Sequence, residues 1–544
     1  MAVGIFEDLK QEAMPDLASL RSRYPLTVTS LGSLPDREKW LKRIWTTEER
    51  WNGQFRSSAS LEEAVIRGVP PADLNIEGEF DVIYAGGVTG LLHGCVMASK
   101  FERDVMVFAQ ESVGSAEQDW NVSAADLREF ERTGIFSSAE VESAVVNRYR
   151  SAFMKFHDAS SRVKTPPLWV DGVLDIALSA EVLLSLAVQK IQNSTTNSMV
   201  ASGLRFIRCW VAKERAVVEL EDIRTRRRMG FATKLFVDTT GPNSTVFRFL
   251  NSGRAATHVM PTVGTIAKGF ARGSDSDTVD FNVGEILVSN EDAIDHRQLM
   301  WEGFAGSTQK DEYSTYLFFY DAVDSAADKS LLGLFERYFE TLPQYKRKGA
   351  YWRVVKPVFG YVPGLSAQRR SSQTITAMDR VMLAGDPGGS SSPLSFCSFG
   401  RGLRTLRQFT ALTNEVLAKN FLDAASLIQV SRLEPRVAHV ANLAELLRPT
   451  VKSAPFTVNE TMNAVMGALH SLDGRVRREL FQDRISFSAL KYLLSRTARL
   501  YPHIFQRLRE HLGVKGTLWW LRDILDAAWK EGRERKENRG LMKN

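Results

Sequence analysis

Cysteine is scarce: Cys95, Cys209 and Cys397 are the three in 544 residues. An odd number, far apart and with no C-x-x-C pair, argues against a disulfide framework and a zinc ribbon. Histidine is sparse too. The eight histidines form neither H-x-x-x-H nor H-E-x-x-H, so no metal site is expected. No uncharged apolar run is long enough to span a bilayer. The net charge of +6 is small for this length. The dense basic run of the first half, "RTRRR" at Arg224 to Arg228, lies between two strand-like stretches and reads as a solvated hairpin turn. A nucleic-acid partner is therefore not expected. The start, "MAVGIFEDLKQEAMPDL", has early acidic residues and reads as neither a signal peptide nor a transit peptide.

What is present is ordinary globular material, 44% hydrophobic and 25% charged. Residues 1 to about 75 read as polar helices, and Pro70 and Pro71 mark a break. From Phe80 strands and helices alternate, which predicts a parallel α/β unit. Residues 255 to 365 alternate strongly and carry many aromatics, as in "STYLFFYDAV", predicting a mainly antiparallel sheet. From Arg401 onward the pattern is helical.

Three glycine stretches carry the chemistry. "FDVIYAGGVTGLLHG" reads as a strand turning sharply into a helix. Gly87 and Gly90 fill the second and third positions of a dinucleotide fingerprint whose first position is Ala85, with Gly86 adding freedom. Such a turn aims helix N–H groups at a diphosphate. The second strand, Val105 to Phe108, ends at Ala109 where a ribose-binding acid is expected, so that contact is missing or moves to Gln110 or Glu111, with Glu111 the cofactor-binding candidate. "KLFVDTTGPNS" ends a strand at Asp238 and Gly241. "DRVMLAGDPGGSSSPLSF" ends another at Gly385 and Asp386, with Gly388 and Gly389 in the turn. In two-segment flavoproteins such a late aspartate meets the ribityl chain, and the next helix points at the flavin pyrimidine. Three unrelated strand-end turns are the plainer alternative; their order and separation favour the flavin.

A wider resemblance follows. "SAEQDWNVSAADLREFERTGIF" resembles the "EQEWNIS" segment of lycopene cyclases of the CruA/CruP type, closest to the CruP-like branch. "PLWVDGVLDIALSAEVL", "DTTGPNS", "LMWEGFAGS", "STYLFFYDA", the glycine-aspartate stretch and "DRISFSALKYLL" fall in that family's order, over roughly residues 78 to 530. The resemblance implies an α/β fold: a glutathione-reductase-like, Rossmann-type FAD-binding domain, an inserted antiparallel substrate sheet and a C-terminal helical region. The division expected is a helical extension over 1–75, the FAD-binding domain over 76–254 and 366–415, the substrate sheet over 255–365 and the helical region over 416–544. The chain departs from the family at Ala109, Ala124 and Thr405, where the family has Glu, Arg and His.

The implied reaction is acid-catalysed cyclisation of lycopene end groups, without net redox, assisted by reduced FAD; NAD(P)H is one source of the reductant. It needs an acid kept protonated in an apolar tunnel. Glu302, between Trp301 and Phe304, is the first candidate; a surface glutamate on a strand is the equal alternative. Asp119, before Trp120 and Asn121, is the second, against a plain turn aspartate. Two other functions stay open: a flavin-dependent oxidoreductase or monooxygenase on a lipophilic isoprenoid, and a silent paralogue binding flavin or carotenoid. Leu518, Leu521, Leu525 and Trp529 recur at helical spacing near Trp519 and Trp520, beside Arg522, Lys530 and Arg533. Such a helix either lies on a membrane or packs on its own domain. The resemblance implies a carotenoid substrate and a plastid-membrane (chloroplast) location in a eukaryote, otherwise the cytoplasm or a thylakoid face. The oligomeric state is not fixed.

Overall fold

Strands apolar on both faces need cover on both faces, and the run ending at Ala85 is such a strand. In the computed structural model, which describes residues 14–56, 63–114, 119–241, 244–253, 256–306, 310–364, 374–385, 398–431, 442–482 and 485–541, this run is the centre of a nine-stranded sheet. Its parallel part runs β9 (Met199–Ser202), β3 (Val105–Ala109), β2 (Ile76–Ala85), β12 (Arg228–Asp238) and β20 (Val381–Leu383), with β19 (Ala377–Met378) paired to β20. β12 changes partner along its length. Residues 228–233 pair with β11 (Ala216–Asp222), and residues 236–238 pair with β20. Beyond β11 lie β10 (Leu204–Val211) and β1 (Val65–Arg67). The "RTRRR" run is the turn between β11 and β12, tied down by Arg226–Glu221 at 3.2 Å and Arg227–Glu77 at 3.1 Å.

Helices α4 (Thr89–Phe101), α7 (Ala180–Gln192), α5 (Ala124–Thr133) and α10 (Ser398–Ala418) share one core with this sheet, joined by Leu427 and Val430 of α11 (Ala424–Ser431). α8 (Thr245–Leu250) buries Val246 and Phe247 in the core on the other side. A three-stranded sheet of β4 (Asp119–Val122), β8 (Ile176–Ser179) and β5 (Val145–Arg148) packs against α7 and α10 and shares their core with Val141 of α6 (Ser138–Ser143).

The strongly alternating middle of the chain forms an eight-stranded sheet. Its order is β17 (Asp321–Ala322), β13 (His258–Phe270), β16 (Glu312–Phe318), β15 (Met300–Ala305), β14 (Val283–Val288), β6 (Ser151–Lys155) and β7 (Leu168–Val170), with β18 (Lys348–Gly364) also on β13. β6 and β7 come from before residue 255, and β6 runs parallel to β14. α9 (Leu331–Tyr345) covers one face: Tyr345 stacks on Trp301 at 4.5 Å, and Tyr338 Oη lies 2.6 Å from both Thr265 and Thr315 Oγ1.

Two carboxylates fasten the N-terminal helices α1 (Leu17–Arg23), α2 (Pro25–Leu31) and α3 (Arg37–Arg56) to this sheet. Glu48 of α3 accepts from Leu331 N and Ser330 Oγ at the start of α9, at 2.9 and 3.1 Å. Glu336 of α9 accepts from Leu26 N and Thr27 N at the start of α2, both at 2.9 Å. Each anion sits where a helix start leaves N–H groups unused. The C-terminal region holds a short 3₁₀ turn (Asn442–Leu447), α12 (Thr457–His470), α13 (Gly474–Phe481), α14 (Phe487–Leu500) and α15 (Ile504–Leu541), the last interrupted at Gly513 with φ 65 and ψ 176. Leu20, Ile44, Trp301, Leu469 and Leu508 belong to one buried cluster, so both termini pack with the antiparallel sheet.

Candidate functional site

The ends of β2, β12 and β20 converge, because parallel strands bring their carboxyl ends to one edge. Gly86 follows β2 with φ +108, a conformation L side chains rarely adopt, and a Cβ there would lie 2.9 Å from the backbone of Thr239. Gly90, in the first turn of α4, lies against the same residue: a Cβ would stand 2.9 Å from Thr239 Oγ1. Thr239 donates its N–H and its hydroxyl to Ala85 O, at 2.8 and 2.6 Å. A Cβ on Gly87 would point into open space. The N-terminus of α4 has no side-chain cap and no acid in its first turn. That is a ready anion site, and it fits a diphosphate.

Gly241 has φ +124 and open space at its Cβ position. Asp238 is buried, and its Oδ1 accepts from Thr240 N at 2.9 Å and Thr240 Oγ1 at 2.6 Å, so this carboxylate shapes its own turn. Burial pushes its pKa up, against the hydrogen bonds of Ser244 and Thr240. Gly385 closes the group, since a Cβ there would sit 3.1 Å from Thr89 Oγ1. The three glycine stretches therefore meet at one edge. Asp386, Gly388 and Gly389 lie outside the described residues.

Ala109 is the last residue of β3, and Gln110 and Glu111 after it are exposed. Glu111 is paired with Arg50 of α3 at 3.3 Å. Ala124 begins α5, and its N–H donates to Asp175 Oδ1 at 2.9 Å. Thr405 bonds back within its own helix to Arg401 O at 3.2 Å. Arg404 pairs with the buried Asp126 at 2.7 Å, and Asp126 Oδ2 lies 2.7 Å from where a Cβ on Gly400 would be. These contacts join α10 to α5.

The two acid candidates are placed differently. Asp119 is in β4, where its backbone pairs with Ser179; its side chain lies outside the described residues. The neighbouring Trp120 packs on Phe399 of α10 at 4.2 Å. Tyr149 Oη donates to Ala305 O at 2.5 Å and lies 3.5 Å from Asn121 Oδ1. The Trp120-Asn121 segment thus links α10 to β15.

Glu302 is on β15, with Trp301 and Gly303 beside it turned toward Tyr345 of α9. Alternation puts Glu302 on the opposite face. There it shares a cross-strand row with Tyr316, Gly264 and Val358. Glu302 retains some accessible surface as a residue. Enough protein still surrounds its carboxyl that burial pushes the pKa up to about 8. It makes no hydrogen bond or ion pair among the described residues. Electrostatically it is felt by Tyr320 and Tyr345, two buried phenols.

A cleft of about 760 Å³ opens between the two sheets. Val88 at the α4 start, Glu111 and Trp120 line one side, and Val358, Phe359 and Tyr361 of β18 line another. The cleft thus runs from the glycine turn toward the row holding Glu302, which is three strand spacings, about 14 Å, from Val358. A further wall is α3: Lys39, Lys42, Arg43 and Arg50 line it, with Trp51 stacked on Tyr361 at 4.6 Å. The sequence pattern over residues 1–75 predicts only a polar helical extension, not this wall. The signal that finds it is spacing, since lining positions 39, 42, 43, 46, 47 and 50 form one helical stripe.

No protein-family model matches the chain, and no curated protein matches it in sequence. Solved structures do match in fold. A geranylgeranyl bacteriochlorophyll reductase-like protein from Thermoplasma acidophilum superposes with a TM-score of 0.52 and 12% identity, over 80% of this chain and 99% of that one. A variant of the halogenase PltM in complex with FAD gives 0.53 and 12%, over 82% and 96%. The flavin-dependent brominase Bmp2 gives 0.53 and 10%, over 79% and 100%. At these identities the likeness is one of fold. The chain has the α/β fold of flavoproteins with a glutathione-reductase-like FAD-binding domain, here with an inserted antiparallel sheet and a C-terminal helical region.

Proposed function

We propose that the chain is an FAD-binding enzyme that protonates a lipophilic polyene, with lycopene end-group cyclisation as the reaction. The observation that carries this is Glu302: an acid held protonated at neutral pH by burial, free of ion pairs among the described residues, on the sheet face turned away from α9. A protonated carboxyl among aromatic side chains is suited to deliver a proton to an end double bond. The neighbouring double bond then attacks the cation, a ring closes, and loss of a proton restores neutrality. Aromatic faces such as Tyr316 favour a passing cation. Gly86, Gly87, Gly90 and the α4 start would hold the diphosphate, and Gly241, open at its Cβ position, leaves room for the chain beyond it. Reduced flavin, when bound, supplies negative charge near the cation.

Supply of such a substrate calls for a membrane surface. Leu518, Leu521, Leu525 and Trp529 of α15 are all exposed, at 60%, 47%, 66% and 66%. We place this stripe against the bilayer interface. No described helix is long and apolar enough to cross a membrane.

The test is expression in lycopene-accumulating bacteria. Cyclised product is expected from the native chain. Glu302→Gln is expected to retain bound flavin and to lose ring formation by at least about a hundredfold, the usual scale of an acid-base group. Persistence of lycopene with a soluble, flavin-loaded protein sinks the cyclase reading. The second reading, a flavin-dependent redox enzyme on an isoprenoid, draws on the fold likeness to the reductase-like protein. Its mark is NAD(P)H-dependent saturation or oxygenation of the polyene instead of ring closure.

A further inference from the structure

The cleft has a wall the nucleotide-binding sheet does not provide. Four cations of α3, Lys39, Lys42, Arg43 and Arg50, line it, and the acid lining it, Glu111, is paired with Arg50. Lining residues thus carry a surplus of positive charge on one helix face. The same cleft is lined by Val88 at the uncapped start of α4, whose first turn holds no Lys or Arg. The sheet edge is also short of a ribose carboxylate, since β3 ends at Ala109. α3 is held rigidly in this place by Trp51 on Tyr361 and by Glu48 on the start of α9.

We propose that the basic face of α3 clamps the diphosphate of the flavin dinucleotide from the side opposite the α4 N-terminus. The proposal rests on the flavin reading above. Two dispersed sources of positive potential then face one dianionic group: backbone N–H groups on one side, and ammonium and guanidinium groups on the other. Arg50 also keeps Glu111 neutralised, so that this carboxylate does not repel the phosphates.

The experiment uses the full chain and follows flavin fluorescence quenching with two probes, FAD and riboflavin, which lacks the diphosphate. Lys39→Gln/Lys42→Gln is expected to weaken FAD binding about tenfold, the scale of two charge-assisted contacts. Riboflavin binding is expected to stay within about twofold, and the salt dependence of FAD binding to flatten. Lys39→Arg/Lys42→Arg is expected to restore FAD affinity. Unchanged FAD affinity in a variant that melts like the native chain overturns the proposal. So does an equal loss for both probes, which means α3 has shifted. A defect confined to flavin reduction by NADPH overturns it as well, because the phosphate held is then the nicotinamide dinucleotide's. If the native chain binds neither flavin, the flavin reading itself fails, and this proposal with it.

Discussion

Glu302 sets the pH behaviour to expect at the scale of single residues. Its ordinary value of 4.5 applies to the unfolded chain, and burial pushes it to about 8 in the fold. Between those values the native state holds a proton the unfolded state has lost. Stability from this group is therefore full below about pH 4.5 and falls as pH rises through 8, by at most about 1.4 kcal/mol per pH unit. Glu302→Gln is expected to remove that slope in urea unfolding measured from pH 5 to 9; an identical slope in both proteins refutes the burial argument. Gly86 is a second sharp case. Gly86→Ala meets the Thr239 backbone and an unfavourable φ together, so a loss of about 2 kcal/mol and weakened FAD binding are expected. Binding and unfolding assays on the one variant check both effects.

Between elements, the informative feature is the reciprocal capping of α9 and the N-terminal helices. Glu48→Ala leaves the start of α9 without its anion, and Glu336→Ala does the same for α2. Each is expected to cost about 1–2 kcal/mol in denaturant unfolding. Glu48→Ala is further expected to weaken FAD binding, since α3 loses an anchor beside the cleft; Glu336→Ala is not. Equal effects of the two changes on FAD binding contradict the positioning of α3 by Glu48.

Over the whole molecule, the exposed apolar stripe of α15 gives a prediction separate from catalysis. Leu521→Asp/Leu525→Asp is expected to reduce co-sedimentation with anionic lipid vesicles severalfold while leaving flavin content and melting unchanged. Vesicle binding that survives the change assigns the stripe no membrane role.

The sequence by itself determined the strand–turn–helix at Gly86, the second strand ending at Ala109, the strand ends at Asp238 and Gly385, and the antiparallel character of the middle of the chain. These follow from glycine stereochemistry and from alternation with period two, which are local properties. Tertiary structure decided the rest. Glu302 was equally legible as a surface glutamate, because alternation assigns a face but burial depends on what covers that face. Asp238 reads as a cofactor contact in sequence; that its Oδ1 accepts from Thr240 is visible only in the fold. The stripe of α3 is polar and looks solvated; only the folding of the N-terminal helices onto α9 and β18 brings Lys39, Lys42, Arg43 and Arg50 to the cleft. Charge pairing and burial depend on groups hundreds of residues apart, such as Glu48 and Leu331, and no local pattern encodes which of them meet.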